Sequence, residues 1–231
     1  MEVKELSRLA MYDVKKNFHQ VADHLPEGVR LVAVSKFHPE EQIMAAYNEG
    51  QRIFGESHEQ ELARKVPALP KDIEWHFIGH LQTNKVKYIA PYIAMVDAVD
   101  SMKLLREIDK QAQKHDRVIR VLLELHIAAE ATKYGLTLDA CRELLESGEW
   151  RELHHVKICG LMMMASLTDD EAQIEREFQT AADFFDEVKA RYFADDDAFC
   201  ERSWGMSDDY RLAVRHRSTM VRVGTKIFGP R

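Results

Sequence analysis

The stretch "LVAVSKFHPEEQI", residues 31–43, decides the fold. Its first half is a run of apolar, largely β-branched residues that reads as a buried strand. Its second half, from Pro39, has a helix start with Glu40 and Glu41 in the first turn, where the helix dipole favours acids. Between them stands Lys36. An ammonium group is costly to desolvate at the end of a buried strand unless something uses or pairs it. The unit is therefore strand, cationic turn, helix. Two questions follow: how often the unit repeats, and what Lys36 meets.

The unit repeats along the whole chain. Strand-like runs are RLVAVS (30–35), RIFG (52–55), EWHFIG (74–79), YIAMVDAV (92–99), VIRVLLELHI (118–127), VKICGLMMMA (156–165), AFCERSWG (198–205) and TMVRVGT (219–225). Helical patterns follow the first seven, at about 39–49, 57–66, 82–90, 101–114, 138–147, 169–192 and 207–217. A further helix, roughly 2–24, precedes the first strand. Eight βα units of this length predict an α/β fold, a single (β/α)8 TIM-type barrel over residues 1–231 with an extra N-terminal helix. No helix pattern follows the eighth strand, and the N-terminal helix is expected to take that place in the outer ring. A doubly wound open sheet is the competing arrangement. ARYFADDDAF (190–199) reads as a surface loop. Gly50 falls just past a helix end, Pro39 at a first helical position, and Thr137 or Asp139 at a cap.

Composition narrows the function classes. The chain has 231 residues and a net charge of −7, so it carries no global basic field for nucleic acid. Its apolar runs are too short to span a bilayer. Three well-separated cysteines, Cys141, Cys159 and Cys200, form no CxxC pair and fit a reducing cytoplasm. The charged N-terminal segment has no apolar core of a signal peptide. Metal motifs fail: His58-Glu59 opens an HExxH-like string, but residue 62 is Leu. His76 and His80 are four apart but straddle a strand, and His154-His155 fall before strand six, at the bottom rim.

In such barrels the chemistry sits where the strands end. Strand one ends on Lys36. Strand two runs into Gly55-Glu56-Ser57. Strand three is followed by His80, Gln82, Asn84 and Lys85. Strand seven ends in Gly205-Met206-Ser207-Asp208, and strand eight in Arg222-Val223-Gly224-Thr225. Side chains alternate along a strand, so Val32, Val34 and Lys36 share one face. If Val221 and Val223 face the helices, Arg222 enters the barrel beside Lys36, because strands eight and one are neighbours once the barrel closes. Two cations imply an anionic or electron-rich ligand. Ser207 at a predicted helix N-cap, Gly224 with its open backbone, and Thr225 form a candidate phosphate cradle. A phosphate there and a lysine nearby match pyridoxal phosphate (PLP), whose aldehyde forms a Schiff base with lysine. Taken singly, each feature has a plainer reading. Lys36 is then a snorkelling surface residue, Ser207 a helix cap, and Arg222 an ion-pair partner of Glu124 or Glu56.

Ordered motifs run the length of the chain: AVSKFHP (33–39), GQRIFGES (50–57), WHFIGHLQTNK (75–85), KYG (133–135), GLM (160–162), GMSDDY (205–210) and STMVRVGTKIFG (218–229). In these the chain resembles the YggS/PROSC family of PLP-binding proteins, the PLP homeostasis proteins. The resemblance implies a fold similar to the barrel domain of alanine racemase, without that enzyme's second domain. It implies that Lys36 holds the cofactor covalently, that Arg222 faces the pyridine nitrogen, and that Ser207, Gly224 and Thr225 bind the phosphate. Ser57, Asn84 and Met206 complete the expected cofactor contacts. Ser57 stands where the family normally has Asn, and His38 where many relatives carry a second lysine. Lys133 matches a lysine expected at a second, transient cofactor site.

The function so implied is cofactor binding in intracellular PLP homeostasis without established turnover, with PLP-dependent apoenzymes as candidate recipients. An arginine opposite the pyridine nitrogen disfavours its protonation and weakens the ring as an electron sink. A weak amino-acid racemase is the alternative, and a phosphosugar-binding barrel without PLP is a third reading. The lack of a hydrophobic seam points to a monomer.

Overall fold

The computed structural model describes the backbone of residues 3–130 and 133–230, with side chains from Asp13 onward. Eight parallel strands, β1 (Arg30–Val34), β2 (Ile53–Glu56), β3 (Glu74–Phe77), β4 (Met95–Val99), β5 (Ile119–Leu125), β6 (Val156–Met163), β7 (Glu201–Ser203) and β8 (Met220–Val223), close into a barrel in chain order. β8 pairs with β1, with Val32 in register with Arg222. The doubly wound sheet is thereby excluded.

Around the strands lie α1 (Val3–Ala22), α2 (Glu40–Asn48), α3 (Glu59–Ala68), α4 (Val86–Ile89), α5 (Met102–Lys114), α6 (Leu138–Glu146), α7 (Glu171–Tyr192), α8 (Tyr210–Arg215) and α9 (Thr225–Phe228). Caps are placed as the sequence chemistry requires. Thr137, rather than Asp139, caps α6, its Oγ1 accepting from Ala140 N at 3.1 Å. Ser101 and Asp170 cap α5 and α7 in the same way. Pro39 lies one position earlier than expected, at the N-cap of α2. Gly50 ends α2 at φ 103°.

Two expectations are corrected. A one-turn helix, α9, follows β8, so the eighth unit is not bare. The N-terminal helix α1 nevertheless packs against both α9 and α2, and Asn17 Nδ2 donates to Ile227 O at 3.4 Å. It fills the ring beside a helix too short to cover β8 alone. The helix expected over 207–217 begins only at Tyr210. Residues 207–209 form a turn, because Asp209 draws the chain back by accepting from Met206 N at 2.5 Å.

Alternation divides the core in two. Val32, Met95, Ala98, Leu122, Cys159, Met162 and Met220 fill the barrel's centre. Their neighbours Leu31, Ala33, Val96, Val121, Leu161, Val221 and Val223 pack outward against the helices. Each Val, Leu or Met among them, fully buried, contributes about 1.5–3 kcal/mol. The methionine-rich run at 161–164 is thus shared filler for both layers. No described helix is long and apolar enough to cross a membrane.

Candidate functional site

The C-terminal rim of the barrel is built up from β1. Ser35 N continues the ladder, donating to Gly55 O at 3.0 Å, and the chain then turns, with His38 N donating to Ser35 O at 3.1 Å. Lys36 and Phe37 form that turn. Phe37 has φ 68°, a left-handed conformation that costs a non-glycine residue about 1–2 kcal/mol. Strain of this size persists only where surroundings dictate it. His38 leaves the turn buried, its Nδ1 2.8 Å from Gln42 Oε1 and its ring 5.1 Å from that of Phe228. It thereby ties the start of α2 to α9.

Arg222 is 4% exposed and enters the barrel, as strand parity requires. Its Nη1 donates to Ser203 O at 2.8 Å and Ser203 Oγ at 2.6 Å, and its Nη2 to Met163 O at 2.9 Å. A buried guanidinium is thus held mainly by carbonyl oxygens of β6 and β7. Neither sequence-based ion pair forms. Glu56 faces the other side of the wall, where Lys65 Nζ lies 2.8 Å from its Oε1. Glu124 is buried inside and feels the charge of Arg222 without bonding it. Burial, reinforced by Asp100 and opposed by Arg222, pushes the Glu124 carboxyl up to about 7. Fully buried His76 and Asp97 face one another across β3 and β4, Nδ1 to Oδ1 3.0 Å.

The loops after β7 and β8 meet. Gly205, at φ 97°, passes so close to α8 that a Cβ would lie 2.6 Å from Ala213 Cβ. Gly224 N donates to Ser207 Oγ at 3.3 Å. A Cβ on Gly224 would stand 3.0 Å from Val34 O. Thr225 is exposed at the start of α9. Ser207, Gly224 and Thr225 therefore come together beside the end of β1. Ser207 is not a helix cap; its hydroxyl serves the neighbouring loop instead.

The remaining sequence candidates lie around this centre. Ser57 lines a cleft of about 370 Å³ with His80, Gln82, Lys85 and Tyr134. Gly79 passes against it so closely that a Cβ would meet Ser57 Cβ at 2.6 Å. Met206 lines another cleft, of about 400 Å³, with Lys133, Ile174 and Asp209. Lys133 Nζ donates to Ala165 O at 2.6 Å and pairs with Glu130. Asn84 is exposed on the 3-10 turn Thr83–Lys85. Among the described residues, no group of His, Cys, Asp and Glu is arranged to hold a metal. Sequence reasoning missed Ser203, the His76–Asp97 pair and the buried Lys65. For Lys65 a signal existed, the i,i+4 spacing from Glu61 on one helix face.

Residues 11–231 match the family model of the alanine racemase N-terminal domain. A pyridoxal phosphate homeostasis protein from Aquifex aeolicus is 37% identical over 203 residues, 87% of each chain. Its namesake from Schizosaccharomyces pombe is 35% identical over 206 residues, 88% of this chain and 84% of that one. This chain belongs to the pyridoxal phosphate homeostasis protein family. Among solved structures of similar fold is PipY of Synechococcus elongatus with PLP bound, 33% identical, with a TM-score of 0.84 over 94% of this chain and all of that one. Alanine racemase from Bartonella henselae, 16% identical, shares the fold with a TM-score of 0.72 over 95% of this chain and 60% of the racemase.

Proposed function

We propose that this protein binds PLP, holds it as a Schiff base on Lys36, and serves intracellular PLP homeostasis as a carrier rather than a catalyst. The observation that carries the reading is Arg222: a permanently charged guanidinium buried in the barrel, on the strand next to the one that leads into Lys36. The donor set fits the cofactor. Ser207 Oγ and the Gly224 N–H sit together in the opposite loops, and Thr225 adds a hydroxyl beside them, a set suited to phosphate oxygens. Lys36 would supply the amine that holds the cofactor, whose aldehyde would make that attachment covalent and reversible.

The chain's own residues explain a carrier role. Arg222 spends its donors on Ser203 and Met163 and keeps a fixed positive charge at the cavity wall. A cation there opposes protonation of a pyridine nitrogen brought beside it. Relatives named for PLP homeostasis, and the PLP-bound structure of PipY, support the same reading. Ser57, Asn84 and Met206 are proposed as outer contacts and Lys133 as a second, transient site. In this proposal the protein acts in the cytoplasm as a monomer and PLP-dependent apoenzymes receive the cofactor.

The test is a visible absorption spectrum of the purified protein with added PLP, before and after borohydride reduction, with Lys36→Ala alongside. A band in the wild type, trapped on Lys36 and absent from the variant, is expected. No band after PLP addition overturns the cofactor assignment. Racemisation of an amino acid by the loaded protein, lost in Lys36→Ala, overturns the non-catalytic part.

A further inference from the structure

Lys65 is fully buried, outside the barrel wall, between α3 and the ends of β1 and β2. Its Nζ donates to Ser35 O at 2.9 Å, Glu56 Oε1 at 2.8 Å and Glu61 Oε1 at 2.6 Å. The two carboxylates reach onward. Glu56 Oε1 accepts from Ser35 Oγ at 2.6 Å, and Glu61 Oε1 accepts from Phe37 N at 2.7 Å. The network therefore grips the residue before Lys36 and the residue after it.

We propose that Lys65, with Glu61 and Glu56, is a buried clamp that positions the Lys36 turn for attack on the cofactor aldehyde. This rests on the assignment of Lys36 made above. Three observations converge. A buried lysine is an expensive way to fill space that an apolar side chain would fill at less cost, so its value lies in what its donors hold. All three acceptors belong to, or bond, Ser35 and Phe37, the residues flanking Lys36: the Ser35 carbonyl itself, Glu56 through the Ser35 hydroxyl and Glu61 through the Phe37 N–H. Phe37 has its left-handed φ although its side chain is 58% exposed, so core packing does not impose the conformation. The hydrogen bond from Phe37 N to Glu61, itself anchored by Lys65, holds the backbone in that conformation, beside the contact of the Phe37 ring with His58 at 5.3 Å. Lys65 is thus a positioning residue that acts through the turn, and the parity of β2 puts it there. Gly55 turns inward against Val32 and Ile78, which leaves Phe54 and Glu56 facing α3.

The test uses the full chain and four variants: Lys65→Met, Glu61→Ala, Glu61→Gln and, as a control for lost stability, Ile119→Val on β5. All are studied at a temperature where circular dichroism shows them folded. Glu61→Gln keeps an acceptor for Phe37 N, and Glu61→Ala does not. With PLP added, Lys65→Met and Glu61→Ala are expected to form the visible band about tenfold or more slowly, because a small misplacement of a reacting group is expensive. Borohydride is expected to trap part of their label on lysines other than Lys36. Glu61→Gln should recover most of the rate, and Ile119→Val should match the wild type. Amide hydrogen exchange at residues 35–38, measured without PLP, is expected to quicken about tenfold in Lys65→Met and Glu61→Ala alone. Folded Lys65→Met and Glu61→Ala with wild-type rates and exclusive Lys36 labelling overturn the proposal, as does equal slowing in Ile119→Val. A wild type that forms no band fails the cofactor assignment, and the positioning role falls with it. Hydrogen exchange then decides separately whether the clamp holds the turn.

Discussion

Arg222 Nη1 lies 2.6 Å from Ser203 Oγ and 2.8 Å from Ser203 O, so one residue of β7 takes two of the guanidinium's hydrogen bonds. With Met163 O as third acceptor, the charge at the centre of the site is fixed by the barrel's own strands. No salt bridge among the described residues neutralises it. Asp97, Asp209 and Glu124 act on that charge through space without bonding it, and the three hydrogen bonds make the arginine part of the barrel's structure.

Arg222→Met should therefore cost stability before any ligand is considered. The substitution leaves two carbonyls and a hydroxyl buried without their donor, a loss of about 2–4 kcal/mol. Urea denaturation of the ligand-free protein would measure it. Wild-type stability in this variant would mean that the acceptors find other donors and that the arginine is held for its charge alone.

Stability of the ligand-free protein should fall as pH rises through the weakly acidic range. Burial raises the Glu124 carboxyl from its ordinary 4.5 to about 7, as it does that of Glu56, so at each the native state binds a proton that the unfolded chain has released, and Glu124 carries one share of the effect. Between about pH 4.5 and 7 the folded form then loses stability with each rise in pH, and above that the loss is complete. The shift corresponds to about 3 kcal/mol as an upper bound. Glu124→Gln should flatten the decline, and a profile identical to that of the wild type would remove Glu124 as its source.

The two loop glycines should differ in kind. Gly205→Ala places a methyl 2.6 Å from Ala213 Cβ on a backbone at φ 97°, and should destabilise by about 2–3 kcal/mol. At Gly224 the φ is −119°, acceptable to any residue, but a methyl would meet the fixed carbonyl of Val34 at 3.0 Å. Gly224→Ala should cost about 1 kcal/mol or less and weaken PLP binding about tenfold by displacing the loop against Ser207. Thermal unfolding and cofactor titration separate the two effects. Equal affinity in Gly224→Ala and wild type would remove this loop from the phosphate site.

Thiol chemistry should report on the barrel. Cys141 packs under α6 and Cys159 lies in the central layer; burial pushes their thiols up to about 12 and about 11. Cys200 is exposed. An aromatic disulfide reagent at pH 8 should therefore modify Cys200 alone in the native protein, and Cys141 and Cys159 as well only after denaturation. Rapid labelling of Cys159 in the native state would mean that the barrel opens far more readily than its packing implies.

Much of this protein is written in local pattern. Eight apolar runs separated by helical periods determine a barrel, because parallel strands joined by helices have few other ways to bury both faces. Period-two alternation puts Arg222 inside if Val221 and Val223 face outward, and in β8 they do. Pairing of β8 with β1 then brings Arg222 into register with Val32, four residues before Lys36.

What alternation lacks is a sense of side. Sequence offers Glu56 only as a partner for Arg222, inside the barrel. Docking of α3 decided the matter, because Lys65 reaches the end of β2 only from the helical layer. The turn at 207–209 reads in sequence as a helix start for a similar reason. Ser207 has the chemistry of a cap, but Asp209 takes the Met206 N–H and sends the Ser207 hydroxyl to Gly224, seventeen positions away. Sequence by itself determined the strands, which residues share a face of each, and the residue types gathered on one rim, since those depend on local periodicity and short-range sterics. Tertiary structure alone decided which charges pair, which carbonyls hold Arg222 and what grips the turn around Lys36. Those choices are made between segments far apart in the chain, where the competition for each buried donor is settled by which acceptor the packing brings within 3 Å.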